Sequence, residues 1–364
     1  MKLEIQREQL LKPLQNVVNV VERRQTLPVL ANVLLEMHDN AFTLTATDLE
    51  VELVTRASVI TSDSGEVTLP ARKLFDILRN LPEEAAIQLG FDGERAVLKS
   101  GRSRFTLATL PAADFPTLDE IPFDLELSLP QRTLKTLIEK TQFAMAQQDV
   151  RYYLNGLLLD CVDGELRAVA TDGHRLAYAC AAVTAAAAAQ VIVPRKGVQE
   201  LARLLADSDE PAQVRIGTNH IQVVIGDIRF TSKLIDGKFP DYQRVIPREG
   251  RRVVLADRLV LRTALTRTAI LSNEKYRGVR LQLDNWLLRV QAHNPEQEEA
   301  EEEVEVNYSG DGLEIGFNVA YLLDALGALD GELVKLSFND ANSSCLLQNP
   351  DSEDCRYVIM PMRL

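Results

Sequence analysis

The chain has 364 residues, of which 46% are hydrophobic and 26% charged, so it is long enough for two or three domains and too apolar to be mainly disordered. Its 53 acidic residues outnumber its 40 basic ones, and the net charge of −13 argues against a simple basic nucleic-acid binder. No apolar run approaches the ~20 residues that span a bilayer, and residues 1–10 lack the features of a secretory signal, so we expect a cytoplasmic protein with no membrane partner.

The predicted secondary structure follows one order three times along the chain. Each third opens with apolar residues at helical spacing: Leu10, Leu14 and Val17 in the first, Leu134, Leu137, Ile138 and Phe143 in the second, and Leu259, Leu261, Leu265 and Ile270 in the third. Pro13 lies inside the first pattern, which predicts a helix that is kinked there or begins near it. Alternating strand patterns follow, for example over residues 42–47 and 50–55, and a second helix is predicted over 72–81. Few helices among many short antiparallel strands predict an α+β fold.

Short motifs also recur at a fixed offset. Ala46-Thr47-Asp48 returns 124 residues later as Ala170-Thr171-Asp172. Arg104-Phe105-Thr106, followed by Phe115-Pro116, returns as Arg229-Phe230-Thr231, followed by Phe239-Pro240. A third, fainter copy runs through residues 278–294 and 317–329. A period of about 120 residues indicates triplicated domains rather than a solenoid, so we predict domains over 1–124, 125–248 and 249–364.

Residues that could carry catalysis are scattered. The four cysteines include no CxxC pair, the four histidines lack metal-ligand spacing, and no phosphate loop occurs, so we expect no metal and no cofactor. The one catalytic alternative is a metal-dependent nuclease that uses Asp48, Glu50 and Glu52, three carboxylates that would share one face of a strand. Carboxylates on the exposed face of an amphipathic strand are common, however. At residues 171–175, which also contain an aspartate and a histidine, recurrence of the Ala-Thr-Asp core favours a structural turn. A monomeric interaction scaffold is a third hypothesis.

The distribution of charge suits a polyanionic partner. Cations fall in the predicted helices, so helices that face one way would concentrate positive charge on one surface. Residues 296–303 form an acidic run, which is either a solvated strand or half of an electrostatic interface. Arg102 and Arg104 would share one face of a basic strand in the first repeat and could supply the other half.

The motifs give the chain a recognisable resemblance over its whole length. The most specific segments are Thr26-Leu27-Pro28, GRSRFTLATLPAADFP at 101–116, DVRYYLNG at 149–156, ATDGHRL at 170–176, VPRKG at 193–197, FPDYQRV at 239–245, NPEQEEAEE at 294–302 and YVIMPMRL at 357–364. The chain thereby resembles the bacterial β sliding clamps, the processivity subunits of DNA polymerase III. The resemblance implies three repeated clamp domains, each with two helices packed on antiparallel sheets, and a ring closed by a head-to-tail homodimer.

The resemblance also implies a function without catalysis. A ring of this kind encircles duplex DNA and needs only weak, sequence-independent phosphate contacts, because it is topologically linked to its substrate. The residues that match or could add to the family's DNA contacts are Arg24, Arg72, Lys73, Arg79, Gln148, Tyr152, Tyr153, Arg195, Lys196 and Arg203. The expected partners are the replicative polymerase α subunit, the clamp loader, other polymerases, and repair and ligase proteins.

These partners are expected to dock through a short peptide with a glutamine followed by apolar residues. The positions that match the family's peptide cleft are Leu154, Thr171, Gly173, His174, Arg175, Leu176, Pro240, Arg244, Val245, Asn318, Tyr321, Ser344, Val358, Met360, Pro361, Met362 and Arg363. Apolar anchors would sit on Leu176, Val245, Val358, Met360 and Met362, with His174, Arg175, Arg244 and Arg363 as a polar rim.

The ring is expected to close between the first repeat of one chain and the third repeat of the other. The interface residues predicted on the first repeat are Arg95, Arg102, Arg104, Phe105 and Leu107, and those on the third are Ile270, Leu271, Glu296, Glu298, Glu299, Glu301 and Glu302. Pairing of these strands would remove two exposed sheet edges.

Overall fold

The computed structural model describes residues 2–21, 27–38, 40–59, 64–118, 121–185, 187–248 and 250–363. The strands are β1 Lys2–Gln6, β2 Asn32–His38, β3 Ala41–Thr47, β4 Val51–Ser58, β5 Gly65–Pro70, β6 Ala86–Asp92, β7 Arg95–Ser100, β8 Ser103–Ala108, β9 Leu125–Pro130, β10 Gly156–Val162, β11 Glu165–Thr171, β12 Arg175–Ala182, β13 Ala189–Pro194, β14 Pro211–Ile216, β15 His220–Ile225, β16 Ile228–Lys233, β17 Arg252–Asp257, β18 Gly278–Asp284, β19 Leu287–His293, β20 Glu299–Asn307, β21 Leu313–Asn318, β22 Leu333–Phe338, β23 Cys345–Gln348 and β24 Cys355–Ile359. The helices are α1 Arg7–Val17, α2 Ala71–Asn80, α3 Gln131–Glu139, α4 Arg195–Leu204, α5 Tyr242–Val245, α6 Arg258–Thr268 and α7 Val319–Ala328. None of these helices is long and apolar enough to cross a bilayer.

Compact unit one contains Met1–Leu134 and Lys196–Leu234. Its strands form two antiparallel sheets, one in the order β1-β6-β7-β8 and the other in the order β5-β2-β3-β4-β16-β15-β14-β9. Helix α1 packs on β4 and on α2 through the buried side chains of Leu10, Leu14 and Val17, as the helical spacing predicts. The alternative that this helix begins near Pro13 is wrong, because it begins at Arg7.

Compact unit two contains Lys135–Arg195 and Ile235–Leu364. Its twelve strands follow the order β13-β10-β11-β12-β24-β23-β22-β17-β20-β19-β18-β21, and every pairing is antiparallel. Helix α6 packs on β20 and on α7 and buries Leu261 and Leu265. The predicted apolar face is wrong at Leu259 and Ile270, which are 56% and 75% exposed. Leu259 points away because two residues turn a helix by about 200°, and Ile270 lies in the 3-10 turn Ala269–Leu271 that follows the helix.

Strand pairing joins successive repeats within each compact unit. In unit one, β4 of the first repeat pairs with β16 of the second, with Leu53 opposite Phe230. In unit two, β12 of the second repeat pairs with β24 of the third, with Ala177 opposite Tyr357. In the first repeat β8 corresponds to β16 and β24, and in the third repeat β20 corresponds to β4 and β12, but β8 and β20 do not pair with each other within the chain. Within the described residues, β8 pairs only with β7, and residues 299–305 of β20 pair only with β19. The outer edge of β8 and the edge of β20 at residues 299–305 are therefore both open.

The compact units do not follow the order of the repeats. The middle repeat contributes β9 and β14–β16 to unit one and β10–β13 to unit two, because its two sheets continue into different neighbours. The division of the chain at 124/125 and 248/249 stays a prediction.

Candidate functional site

The floor of the candidate cleft is an apolar cluster on one face of the sheet in compact unit two. Leu176 on β12 lies directly opposite Val358 on β24, and both side chains are almost fully buried. They pack with Leu158, Val169, Tyr178, Ile192, Phe239, Tyr242 and Leu346. Alternation along each strand places these side chains on the same face, so the cluster follows from strand period two. The predicted anchors Leu176 and Val358 are thus brought together.

The wall of the cleft is the segment 239–246, which contains the one-turn helix α5. Phe239 and Tyr242 are buried in the floor, and Ile246 packs against it. Between these contacts Arg244 and Val245 face outward, with the Arg244 side chain 86% exposed and Val245 42% exposed. Pro240 is also exposed.

The C-terminal segment crosses the site after β24. The Met360 amide donates to the His174 carbonyl oxygen at 2.9 Å, and the Met362 amide donates to the Gly316 carbonyl oxygen at 2.9 Å. Met360 is 47% exposed, Pro361 and Met362 are half-buried, and Arg363 is exposed. The segment is therefore fixed by its backbone while flexible thioether side chains remain accessible, which suits partners of varied shape.

A side-chain-capped turn forms the end of the cleft at residues 171–175. Asp172 Oδ1 accepts from the amides of His174 and Arg175, and the Thr171 hydroxyl donates to the Arg175 carbonyl oxygen at 2.6 Å. Gly173 has φ +87°, a conformation that favours glycine. The Thr47-Asp48 turn repeats these bonds, since Asp48 accepts from the amides of Glu50 and Val51. The interpretation of the Ala-Thr-Asp core as a structural turn therefore agrees with the hydrogen bonding.

Arg175 is hydrogen-bonded within its own chain, and its place in the polar rim stays a prediction. Its side chain is only 13% exposed and donates to the carboxylates of Asp172 and Asp324, at 3.2 and 2.5 Å, and to the Phe143 carbonyl oxygen at 2.7 Å. The guanidinium also lies 4.4 Å from the centre of the Tyr321 ring. These contacts tie the second repeat to the third and leave the guanidinium little freedom to meet a ligand.

The remaining predicted cleft residues are structural or peripheral. Leu154 and Thr171 are buried, and Ser344 is half-buried. Asn318 caps α7 by accepting from the Ala320 amide at 2.9 Å, and Tyr321 lies half-buried beneath Arg175. His174 is exposed at the turn. Sequence reasoning missed Asp160, Tyr178 and Tyr242, although FPDYQRV contained a signal for the last, since a tyrosine amid an otherwise polar loop favours a buried anchor.

The predicted DNA contacts in compact unit one divide into exposed and internally bonded side chains. Lys73 and Arg79 on α2 are exposed, whereas Arg72 is half-buried and donates to the Val21 carbonyl oxygen. Lys196 pairs with the Asp48 carboxylate. Arg203 pairs with Glu200 at 2.9 Å and donates to the Asn16 carbonyl oxygen at 2.8 Å. Arg24 lies outside the described residues.

Compact unit two holds the other four predicted DNA contacts. Tyr152 is 57% exposed and meets the half-buried Tyr153 edge to face, with ring centres 5.9 Å apart. Gln148 is exposed and has φ +55°. Arg195 is half-buried and donates to the Met145 carbonyl oxygen at 3.2 Å.

Next to the tyrosines, Asp149 pairs with Arg151 at 2.8 Å, and this hydrogen bonding lowers the pKa of Asp149 to about 2.

The predicted interface on the first repeat lies on the open edge strand β8 and the hairpin before it. Arg104 is exposed, Phe105 is half-buried, and Arg95 on β7 is exposed. Arg102 does not share the strand face with Arg104, because it occupies the two-residue turn between Ser100 and Ser103. Leu107 is 6% exposed and packs in its own chain, and its place in the interface stays a prediction.

Three residues of the predicted interface on the third repeat lie on the open strand β20, and they occupy both of its faces. Glu299 and Glu301 are exposed on one face, where Gln291 donates to Glu301. Glu302 lies on the other face, beneath α6, and accepts two hydrogen bonds from Arg267 at 2.6 and 2.8 Å. The acidic run is therefore partly neutralised within the chain rather than wholly available to a partner. Glu296 and Glu298 are exposed in the preceding loop, and Leu271 is half-buried.

The structure does not support the nuclease alternative. Asp48 and Glu50 lie in the turn before β4 rather than on a strand with Glu52, so the three carboxylates do not share a strand face. Glu52 is 5% exposed, and burial raises the pKa of its carboxyl group. No cluster of metal-ligating side chains occurs within the described residues. The cysteines are free, with Cys161 and Cys345 buried.

Comparison with known proteins accounts for the whole chain. Three family models match in succession: the DNA polymerase III beta subunit N-terminal domain at residues 1–119, the central domain at 128–241 and the C-terminal domain at 243–363. The β sliding clamp of Pseudomonas aeruginosa is 58% identical over 369 residues, and that of Escherichia coli K12 is 52% identical over 366, each covering both chains completely. A crystal structure of the Pseudomonas aeruginosa clamp bound to griselimycin superposes with a TM-score of 0.97 at 57% identity, again over both whole chains. The chain belongs to the β sliding clamp family, the non-catalytic processivity subunits of bacterial DNA polymerase III.

Proposed function

We propose that two copies of this chain close head to tail into a ring around duplex DNA and that the cleft in compact unit two tethers partner proteins to it. The observation that carries the proposal is the pair of open edges on β8 and β20. The chain already joins its repeats twice by one kind of strand pair, and a third junction of that kind requires a second copy. Two copies form two such junctions, and the assembly stops at a dimer because the rotation that relates one copy to the other then closes the ring.

The internal junctions predict the register of the proposed one. Thr47 and His293 are equivalent because they end the corresponding strands β3 and β19. Glu52 on β4 lies opposite Thr47, and Glu299 on β20 lies opposite His293, so these two glutamates are also equivalent. Arg104 is equivalent to Arg229, which lies opposite Val54, two residues after Glu52. The equivalent register places Arg104 opposite Glu301, with Phe105 opposite Ala300. Opposite charges then face each other across the strands, which favours this register over its neighbours.

An apolar contact accompanies the strand pair between repeats in unit two. In the internal junction of unit two, Phe143 lies with its ring centre 5.6 Å from that of Tyr357. Ile270 is equivalent to Phe143, because each follows by two residues a threonine whose hydroxyl donates to the carbonyl oxygen four residues earlier. Phe105 is equivalent to Tyr357. We therefore expect the exposed Ile270 of one copy to pack on Phe105 of the other.

A cross-linking experiment tests the ring and its register together. The variant Arg104→Cys/Glu301→Cys should form two disulfides per dimer on mild oxidation, since directly opposed residues of antiparallel strands lie within disulfide range. A ring oxidised after loading onto a nicked circular plasmid should stay with that DNA in detergent, while linear DNA should lose it. The off-register variant Arg104→Cys/Glu303→Cys should cross-link poorly. Efficient cross-linking of the off-register pair alone, or equal retention on linear DNA, contradicts the proposal.

DNA would be held by weak contacts from the helix cations. Lys73 and Arg79 are the exposed candidates in unit one, and Tyr152 offers a stacking surface to unpaired bases in unit two. Contacts of this number give salt-dependent, sequence-independent affinity, which permits sliding. We expect the variant Lys73→Gln/Arg79→Gln to load onto circular DNA. During transfer from the loader, however, the variant should dissociate from the DNA at a lower salt concentration than the parent chain.

Partner docking in the cleft follows from its apolar floor and accessible methionines. A peptide with a glutamine and two or three apolar residues would bury roughly 300 Å² of apolar surface, worth about 7 kcal/mol before ordering costs. Immobilising the peptide removes a large share of this, so a micromolar Kd is expected. A clamp of the same fold has been solved with griselimycin bound, which supports a ligand-binding surface on this architecture. The polymerase α subunit, the clamp loader, other polymerases and repair and ligase proteins would compete for it.

A further inference from the structure

A buried polar contact that lies outside the predicted cleft helps to hold the wall of the cleft. The Tyr242 hydroxyl donates to Asp160 Oδ2 at 2.7 Å, and the two residues are 4% and 8% exposed. Asp160 lies on β10, where Arg167 of β11 is its direct cross-strand neighbour. Burial and the neighbouring Asp160 raise the pKa of Tyr242, so the hydroxyl remains a donor across the physiological range.

Besides this contact, α5 is held by a hydrogen bond between the Tyr242 and Arg167 side chains and by the packing of Phe239, Tyr242 and Ile246 on the floor. The helix has a single turn, and Tyr242 is its only buried residue. Tyr242 and Ile246 also line a polar cavity of about 640 Å³ together with Tyr178 and Leu346 of the floor, so this part of the wall is not close-packed. Movement of Tyr242 would therefore carry Arg244 and Val245 with it.

The first repeat provides an internal comparison. Its FP motif at Phe115 is followed by Leu118 in the place of Tyr242, and Leu118 is 38% exposed. Its counterpart of Asp160 is Glu36, which accepts from the Thr43 hydroxyl at 3.1 Å instead. The tyrosine–aspartate contact is thus present in the repeat that carries the cleft and absent from its described counterpart.

We propose that Asp160 is a positioning residue for the partner cleft: by accepting the Tyr242 hydroxyl it holds α5, and hence Val245, at the spacing from Leu176 and Val358 that the partner's apolar side chains require. The inference rests on the proposed docking function. According to this inference, a buried residue on β10 that does not contact the peptide still affects the peptide affinity of the cleft, because it fixes the position of α5.

The test measures a local backbone signal and peptide affinity in the full-length chain. The Ile246 amide donates to the Tyr242 carbonyl oxygen at 3.1 Å, so its hydrogen exchange reports opening of α5. In the variant Tyr242→Phe we expect Ile246 to exchange about tenfold faster, while Val358 is unchanged. The probe is a fluorescent peptide Gly-Gln-Leu-Leu-Phe, and its Kd should rise about 5- to 20-fold, mainly through faster dissociation.

Companion variants separate positioning from general stability. Asp160→Ala should match Tyr242→Phe, their combination should add no further loss, and Asp160→Asn should bind within about threefold of the parent because its amide oxygen still accepts. The matched control is Tyr308→Phe, which removes another buried tyrosine hydrogen bond, donated to the Asp311 carbonyl oxygen at 2.7 Å. It should lower the melting temperature and leave the peptide Kd unchanged.

Three results would overturn the inference. The first is unchanged Ile246 exchange in Tyr242→Phe, a measurement that needs no peptide and is therefore valid even if docking at the cleft proves wrong. The second is faster Ile246 exchange with parental peptide affinity, and the third is an equal loss of affinity in Tyr308→Phe. Failure of the parent chain itself to bind the peptide contradicts the docking function instead.

Discussion

The apolar contact at the ring junction gives the sharpest prediction. Ile270 is 75% exposed in the 3-10 turn that follows α6, and Leu271 beside it is half-buried. If the junction repeats the Phe143–Tyr357 contact, the side chains of Ile270 and Leu271 become buried when the ring closes. We therefore expect the variant Ile270→Ala/Leu271→Ala to be monomeric.

The magnitude follows from the exposed area. Burial of the open three-quarters of Ile270 removes roughly 100 Å² of apolar surface from water, which is worth about 2.5 kcal/mol. Truncation of the half-buried Leu271 adds about 1 kcal/mol, and each ring contains two identical junctions. Dissociation to monomers should therefore become easier by about 7 kcal/mol, and the dimer Kd should rise by about five orders of magnitude.

Sedimentation velocity over a concentration series measures this directly. The matched control is Leu259→Ala, which truncates another exposed apolar residue, 56% exposed in the first turn of α6, and should remain dimeric. Glu302→Gln should also remain dimeric, because that carboxylate is bonded to Arg267 of its own chain and exposed ion pairs contribute little. A dimer of unchanged mass for the double variant at low micromolar concentration would refute the assignment of this interface.

Three further outcomes are expected. Deletion of residues 360–364 removes the amides that bond to His174 and Gly316, so peptide affinity should fall at least tenfold in an anisotropy assay while the dimer mass is unchanged; parental affinity would exclude the cleft. Arg175→Met should lower the free energy of unfolding by about 2 kcal/mol in thermal denaturation, whereas Arg244→Met, at an 86% exposed side chain, should change it little. Burial raises the pKa of Glu52, so the folded chain binds its proton more tightly than the unfolded chain, and this residue's contribution to stability falls as pH rises from the usual glutamate pKa through the raised one. Glu52→Gln should therefore be more stable than the parent at pH 7 but not at pH 4, and equal melting temperatures at both pH values would contradict this.

Local patterns in the sequence determined the repeat, the secondary structure and the turns. Helical spacing located α1 from Leu10, Leu14 and Val17, because one buried stripe requires that spacing wherever the helix packs. The Thr-Asp pair at 171–172 determined its own turn, since an aspartate side chain caps the amides two and three residues ahead without help from the rest of the fold. Resemblance over the whole chain then gave the family.

Only the tertiary structure decided which side chains are free to act. Arg175 reads as a rim cation, but its burial depends on Asp324, which lies 149 residues away, and on the Phe143 carbonyl oxygen. Glu302 reads as a partner for another chain until α6 brings Arg267 onto it. No sequence pattern pairs Asp160 with Tyr242, because the two residues are 82 positions apart and meet only when the wall folds onto the floor. Periodicity and turn chemistry are properties of neighbours in the chain, whereas burial and charge pairing depend on neighbours in space.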